Sequence, residues 1–342
     1  MKQIKIILYV VISLIILFST ACLALIPSPT ETPIPTATPL PPTSTPKPTA
    51  TETPTPEPTA TESPTPEQSA ETDLVVETQP LGTSENPVRM AILEKSDMPT
   101  TLMNDLIASV KSLAGIEFEF VIAEDHAAVA DLLCAGDVHI GVLDTPNYLS
   151  AHEQGCANVS LVAEVDGNLS HKGQIVASMD SGISSIADLT DVEFCRPKDT
   201  SYTGWIVPSM LMRAEGINPE TDLAEILDAG DDSAVISAIY DGKCLAGTTY
   251  SGAEMAVLDI HPDVQDMITV IAETPPVPNE NISFLPGIPN DIQVTMINAI
   301  LFVKNYNDGE VIREIFGWEG LFSSDESLFN PLRELIASAN SQ

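Results

Sequence analysis

Between Pro27 and Gln68 the chain reads PSPTETPIPTATPLPPTSTPKPTATETPTPEPTATESPTPEQ, a stretch with 14 of the 28 prolines, no glycine and threonine at nearly every other site. Such a segment has too little apolar surface to offset the entropy of ordering it, and its prolines favour an extended polyproline II path. At roughly 3.1 Å per residue, 42 residues reach on the order of 130 Å. No core forms here, so whatever folds must lie downstream.

Upstream, residues 4–26 (IKIILYVVISLIILFSTACLALI) form an almost unbroken apolar run, with Lys2 before it and Lys5 near its start. Residues 1–26 therefore read as a secretory signal or a membrane anchor. Cys22, behind the small Thr20 and Ala21, suggests lipoprotein processing, in which the cysteine thiol is acylated; an uncleaved anchor helix is the alternative. Either way the rest is exported and tethered to the outer face of a bacterial cytoplasmic membrane. Residues 27–86 then act as a linker that holds the folded part away from the bilayer.

From residue 87 to 342 there is enough chain for one large or two small domains. Nine of the 49 acidic residues lie between Glu31 and Glu85, leaving 40 against 11 lysines and arginines from Arg89 onward. A net charge near −29 on this part excludes nucleic acid as a partner and disfavours long-range attraction of anions. Cys22 aside, four cysteines remain: Cys134, Cys156, Cys195 and Cys244. An even number in an exported domain suggests two disulfides. Three pairings are possible, and Cys134–Cys156 with Cys195–Cys244 is preferred because each would staple within one lobe. No CxxC or His/Cys spacing suggests a metal, and no cofactor motif is present.

Hydrophobic periodicity marks strands at 88–93, 117–123 and 139–144, with glycine-stopped helices at 100–115 and 125–137 between them. The alternation restarts after 160–165 and 173–179. A short helix at 184–190 and a strand at 192–197 lead to a helix ended by Gly216; a strand at 223–230, a helix at 233–242, and strands at 244–250 and 268–273 follow. Helices at 291–307, 309–316 and 327–339 complete the chain. This order predicts an α/β protein of two lobes, residues 87–175 plus 274–342 and residues 176–273, with strands 173–179 and 268–273 as the crossings. Ligands in such sheets lie beyond the carboxyl ends of the strands, next to helix N-termini.

Several stretches together resemble the phosphonate, phosphite and phosphate substrate-binding proteins of ABC transporters. Ser181–Gly182–Ile183 and Asp188–Leu189 look like that family's hinge segment. Ser201–Tyr202–Thr203–Gly204–Trp205 with Pro208 resembles its ligand loop, AGDVHIGVLDTPNYL (135–149) its stretch with a ligand-facing tyrosine, GDDSAVISAIYDGKCLAG (230–247) a helix and strand, and ETPPVPNENI (273–282) the return crossing. The resemblance covers roughly residues 87–305. It implies the type II periplasmic-binding fold: two lobes, each a mixed or parallel sheet flanked by helices, joined by two crossover strands. It also implies capture of a small solute and delivery to an ABC permease, without catalysis.

On this reading Ser201, Tyr202, Thr203 and Gly204 form the ligand loop. Amides at a helix start lack intrahelical acceptors and sit at the positive end of the dipole, the two hydroxyls add donors, and Gly204 allows close approach. The competing reading is that Ser201 or Thr203 only caps the helix. Tyr148 is the candidate stacking ring, with Tyr250 and its neighbour Ser251 as weaker contacts, while Trp205 is expected to pack. Asp232 stands where the family commonly has histidine. There a carboxylate repels a phosphonate dianion, so Asp232 either caps the helix from 233, meets a cationic or neutral ligand group, or faces solvent. An alternative function follows, a sensor for an amine-bearing or neutral solute that signals to a membrane receptor. No nucleophile elbow or phosphate loop suggests an enzyme, and the five scattered histidines are expected to be structural or exposed.

Overall fold

A computed structural model describes residues 79–93, 100–303 and 309–341. The apolar run at 1–26, Cys22 and most of the linker, 27–78, lie outside the described residues. Among those described, no helix is long and apolar enough to cross a membrane.

The first elements among the described residues are β1 (Val88–Leu93), α1 (Thr100–Ala114), β2 (Phe118–Ala123), α2 (His126–Ala135), β3 (Ile140–Leu143), α3 (Thr145–Glu153) and β4 (Asn158–Glu164). Aspartates start two of the helices: Asp125 accepts the Ala128 amide at the head of α2, and Asp144 accepts the Asn147 amide at the head of α3. Helix α3 was not legible as periodicity, because only Thr145, Tyr148 and Ala151 of its nine residues are buried. The turn at 79–86, placed with the linker on sequence grounds, docks on this lobe: the Glu117 amide donates to the Gly82 carbonyl at 2.8 Å and Leu81 packs on the core.

Then come β5 (Ser170–His171), β6 (Gly173–Ser178), β7 (Glu193–Pro197), α4 (Val207–Ala214), β8 (Glu225–Gly230), α5 (Asp232–Tyr240), β9 (Ala246–Tyr250), α6 (Val264–Met267) and β10 (Ile268–Glu273). The chain returns through β11 (Val277–Pro278) and β12 (Asn281–Phe284) to α7 (Asn290–Val303), α8 (Glu310–Phe316), β13 (Gly320–Ser323) and α9 (Asn330–Ala339).

Two mixed sheets result. The first has the order β13-β4-β12-β3-β1-β2, with β1 parallel to β2 and β3 and the return strand β12 antiparallel between β3 and β4. The second has the order β10-β6-β9-β7-β8. The expected crossings at 173–179 and 268–273 are a correction: β6 and β10 pair antiparallel with each other inside the second sheet. The chain changes sheets just outside them, at the two-stranded ribbon of β5 and β11. The shift has a simple cause, since β6 is almost wholly buried and gains more from sheet pairing than an exposed connector would.

Helices cover both faces of each sheet. In the first lobe, α1, α7 and α8 pack Leu106, Val110, Met296 and Ile315 on one face, while Val129, Leu133, Tyr148 and Phe329 fill the other. In the second, Phe194, Trp205 and Met212 lie on one side and Val235, Ile236 and Ile239 on the other. Each such side chain contributes about 1.5–3 kcal/mol on full burial. Disulfides link Cys134 to Cys156 and Cys195 to Cys244, one in each lobe. Helix α9, which follows the last strand of the first sheet, seats Leu332 and Leu335 against Val207 of α4 and Val277 of the ribbon. The last helix thereby ties the two lobes together.

Candidate functional site

Three parallel strands of the second sheet, β7, β8 and β9, deliver their carboxyl ends to one place. Beyond β7 lies the turn at Ser201–Gly204, beyond β8 the head of α5 at Asp232, and at the end of β9 Tyr250 and Ser251. These residues line a cleft of about 820 Å³, together with Val165, Asp166, Asn168, Ser170, His171, Lys172 and Pro276 from the crossing side. A volume of that order suits a small molecule.

The turn is built by Ser201. Its amide donates to the Lys198 carbonyl at 2.9 Å, its Oγ accepts the Gly204 amide at 3.3 Å, and its carbonyl accepts from both Trp205 and Ile206. The result is a wide π-helical turn over Tyr202–Ile206 that runs into α4, with Pro208 in the first turn, where its missing N–H costs little. The amides of Tyr202 and Thr203 have no acceptor among the described residues. Ser201 is thus a cap, and the cap leaves two donors at the cleft wall. Trp205 is buried beneath, its ring 4.8 Å from the Arg196 guanidinium carbon.

Two glycines make this packing possible. A Cβ on Gly204 would lie 2.6 Å from Asp232 Oδ1 and 2.7 Å from Ser201 Oγ. A Cβ on Gly173, at the start of β6, would lie 2.3 Å from the Thr203 carbonyl oxygen. Neither site has room for a side chain.

Carboxylates dominate the electrostatics. Asp232 Oδ1 accepts the Tyr250 amide at 2.8 Å, and burial pushes its carboxyl above the usual range despite that bond. The Tyr250 hydroxyl is likewise raised, by burial and then by the charges of Asp232, Glu254, Asp166 and Asp231. Tyr202 is pushed up to about 12, mainly by burial and further by Asp144. Lys172, the one lysine or arginine lining the cleft among the described residues, is held by Glu273 at 2.8 Å. Glu273 also accepts the Ser251 hydroxyl, and both contacts, Lys172 first, keep its carboxyl low.

The sequence profile of the ABC transporter, phosphonate, periplasmic substrate-binding protein family matches residues 94–329. The chain belongs to this family. A search of curated proteins finds no match. Among solved structures, XAC2383 from Xanthomonas citri bound to ATP is 17% identical, covers 74% of this chain and 97% of its own, and superposes with a TM-score of 0.56. The same protein bound to chloride gives 16% and 0.55 over the same shares of the two chains. PhnD1 from Prochlorococcus marinus in complex with methylphosphonate is 14% identical over 75% of this chain and all of its own, with a TM-score of 0.48. The XAC2383 likeness shows the fold, the two-lobe type II periplasmic-binding architecture.

As a phosphonate-family binding protein, the chain is an exported solute-binding component of an ABC transporter. Of the residues singled out by sequence, Ser201, Tyr202, Thr203, Gly204, Asp232, Tyr250 and Ser251 share the cleft. Tyr148 does not join them. Its ring is fully buried, 4.3 Å from that of Phe329, so the expected stacking surface is a piece of core. The capping reading of Asp232 also shifts by one residue: Asp231 caps α5 by accepting the Ala234 amide, which frees Asp232 to reach Tyr250. The crossing-side residues Asp166, Asn168, His171 and Lys172 were missed. Asp166 and Gly167, with φ of 50° and 70°, form a tight hairpin turn between Val165 and Asn168, and the Asp-Gly pair signals that turn, though not its position at a cleft. His126 is structural, in line with the sequence reading: its Nε2 lies 3.0 Å from Glu280, which also accepts the Trp318 indole N–H.

Proposed function

We propose that this chain is a membrane-tethered receptor that traps a small polar solute between its lobes and passes it to an ABC permease. The N-terminal 26 residues, with a lipid on Cys22 or as an uncleaved helix, hold it at the outer face of the cytoplasmic membrane, and the proline-rich linker spaces the lobes from the bilayer. Ser201, Tyr202, Thr203 and Gly204 receive oxygen atoms of the solute, with Asp232 and Tyr250 beside them. One observation supports this reading: in a family member, two amides without an acceptor among the described residues and two hydroxyls lie on the wall of an 820 Å³ inter-lobe cleft.

A thermal-shift screen of phosphonates, phosphite, phosphate, sulfonates, amines and amino acids tests it. A true ligand at a hundredfold excess over Kd stabilises by about 2.7 kcal/mol. A chain that none of these compounds stabilises, at millimolar concentration, is not a receptor of this kind. Radiolabelled [³H]palmitate incorporation abolished by Cys22→Ala would support the lipid anchor, and incorporation unchanged by it would refute that anchor.

A further inference from the structure

Helix α9 leaves the first lobe but packs on the second. Its head is pinned to α3: Phe329, just before it, is buried with its ring 4.3 Å from that of Tyr148, and Glu326 Oε2 lies 3.1 Å from His152 Nε2. One turn further on, Leu332 and Leu335 seat against Val207 of α4, with Ile336 packed beside them. Spacings of three and four residues put these side chains on one helix face, so α9 turns a single apolar stripe toward the other lobe. The same cluster takes in Val277 of the β5–β11 ribbon, where the chain changes sheets, and so sits on the pivot between the lobes. It also takes in Tyr202, which lines the cleft on one side and packs here on the other.

We propose that α9 is a strap: its apolar stripe holds the lobes at the angle shown and keeps the turn at Ser201–Gly204 in place from outside the cleft. The turn runs directly into α4 at Val207, so α4, the turn and α9 move as one unit. Among the described residues only four buried side chains, Val207, Val277, Leu332 and Leu335, form the seat, against 22 in the larger core cluster of the first lobe. Burial stabilises in proportion to area, so this seat separates at far lower cost than either lobe comes apart. A change of lobe angle therefore lifts α4 and Tyr202 off α9 and leaves both sheets intact. The device works the same way whatever solute the cleft takes.

Double electron–electron resonance on the full chain tests the strap, with nitroxides carried on p-acetylphenylalanine at the exposed positions of Asp137 in the first lobe and Lys243 in the second. Leu332→Ala should broaden the distance distribution and move its mean by more than about 2 Å, the scale of a domain rearrangement. Hydrogen exchange at the Trp205 and Ile206 amides, which donate to the Ser201 carbonyl, should quicken about tenfold while β3 and β9 stay protected. Faster exchange through both sheets would mean that this variant unfolds. Ile336→Ala, half-buried on the same stripe, then decides the matter and should give smaller changes of the same kind. A folded variant of either residue whose distances are unchanged, or whose turn amides stay protected, overturns the strap. Neither result bears on solute capture, which the thermal-shift screen tests separately.

Discussion

Asp232 accepts the backbone amide of Tyr250 at 2.8 Å, which joins the first residue of α5 to the last residue of β9 across the cleft wall. Burial raises the Asp232 carboxyl, so the folded chain holds this proton more tightly than the unfolded chain does. The group therefore costs stability once pH rises above the unfolded value near 3.8. Asp232→Asn should be more stable than the parent at neutral pH, and the gain should vanish toward about pH 3, where both states are protonated. Urea midpoints across that range decide it. A variant less stable than the parent at pH 7 would mean that the charged hydrogen bond outweighs desolvation.

The close approach of Gly173 to the Thr203 carbonyl couples the start of β6 to the Ser201–Gly204 turn at the cleft wall. Gly173→Ala places a methyl 2.3 Å from that oxygen and 2.7 Å from Pro208 Cγ, so the turn must move. The expected loss is about 1–3 kcal/mol, typical of overpacking, together with weakened solute binding. Denaturant unfolding and calorimetry measure the two effects, and an unperturbed variant would mean that the turn gives way freely.

The two disulfides should differ in worth. Cys195–Cys244 closes 49 residues and Cys134–Cys156 closes 22. The chain-entropy relation gives about 4 and about 3 kcal/mol respectively. Double alanine variants of each pair, unfolded in urea without reductant, should fall in that order; the reverse order would place the difference in native packing.

Both ring nitrogens of His126 face acceptors, Nδ1 at 3.2 Å from the Val142 carbonyl and Nε2 at 3.0 Å from Glu280. Burial alone would lower its pKa, but the Glu280 hydrogen bond and the charge of Asp144 outweigh it and the value is raised above 6.5. The stabilisation is therefore complete below the unfolded value of about 6.5 and is lost as pH rises through the folded one. Glu280→Gln should lower the imidazole titration midpoint followed by NMR and flatten this alkaline loss. A midpoint that does not move would assign the shift to other groups.

Where a short-range pattern carries the information, the chain reads directly. Strand 268–273 and the glycine-stopped helix at 126–135 follow from periodicity and caps, because the physics that forms them acts within a few residues. The turn at Ser201–Gly204 was legible as a helix start too, since hydroxyls, glycine and proline crowd into eight positions from Ser201 to Pro208. Other features needed distant partners. Strand β12, hidden in a proline-rich stretch, exists because β3 and β4 accept it between them. Tyr148 became core because α9 brings Phe329 against it, and the exchange of cap from Asp232 to Asp231 depended on Tyr250, 18 residues on. Local sequence sets which backbone conformations are cheap; which side chain faces a cleft is set by pairings made across long loops, whose energies no local window contains.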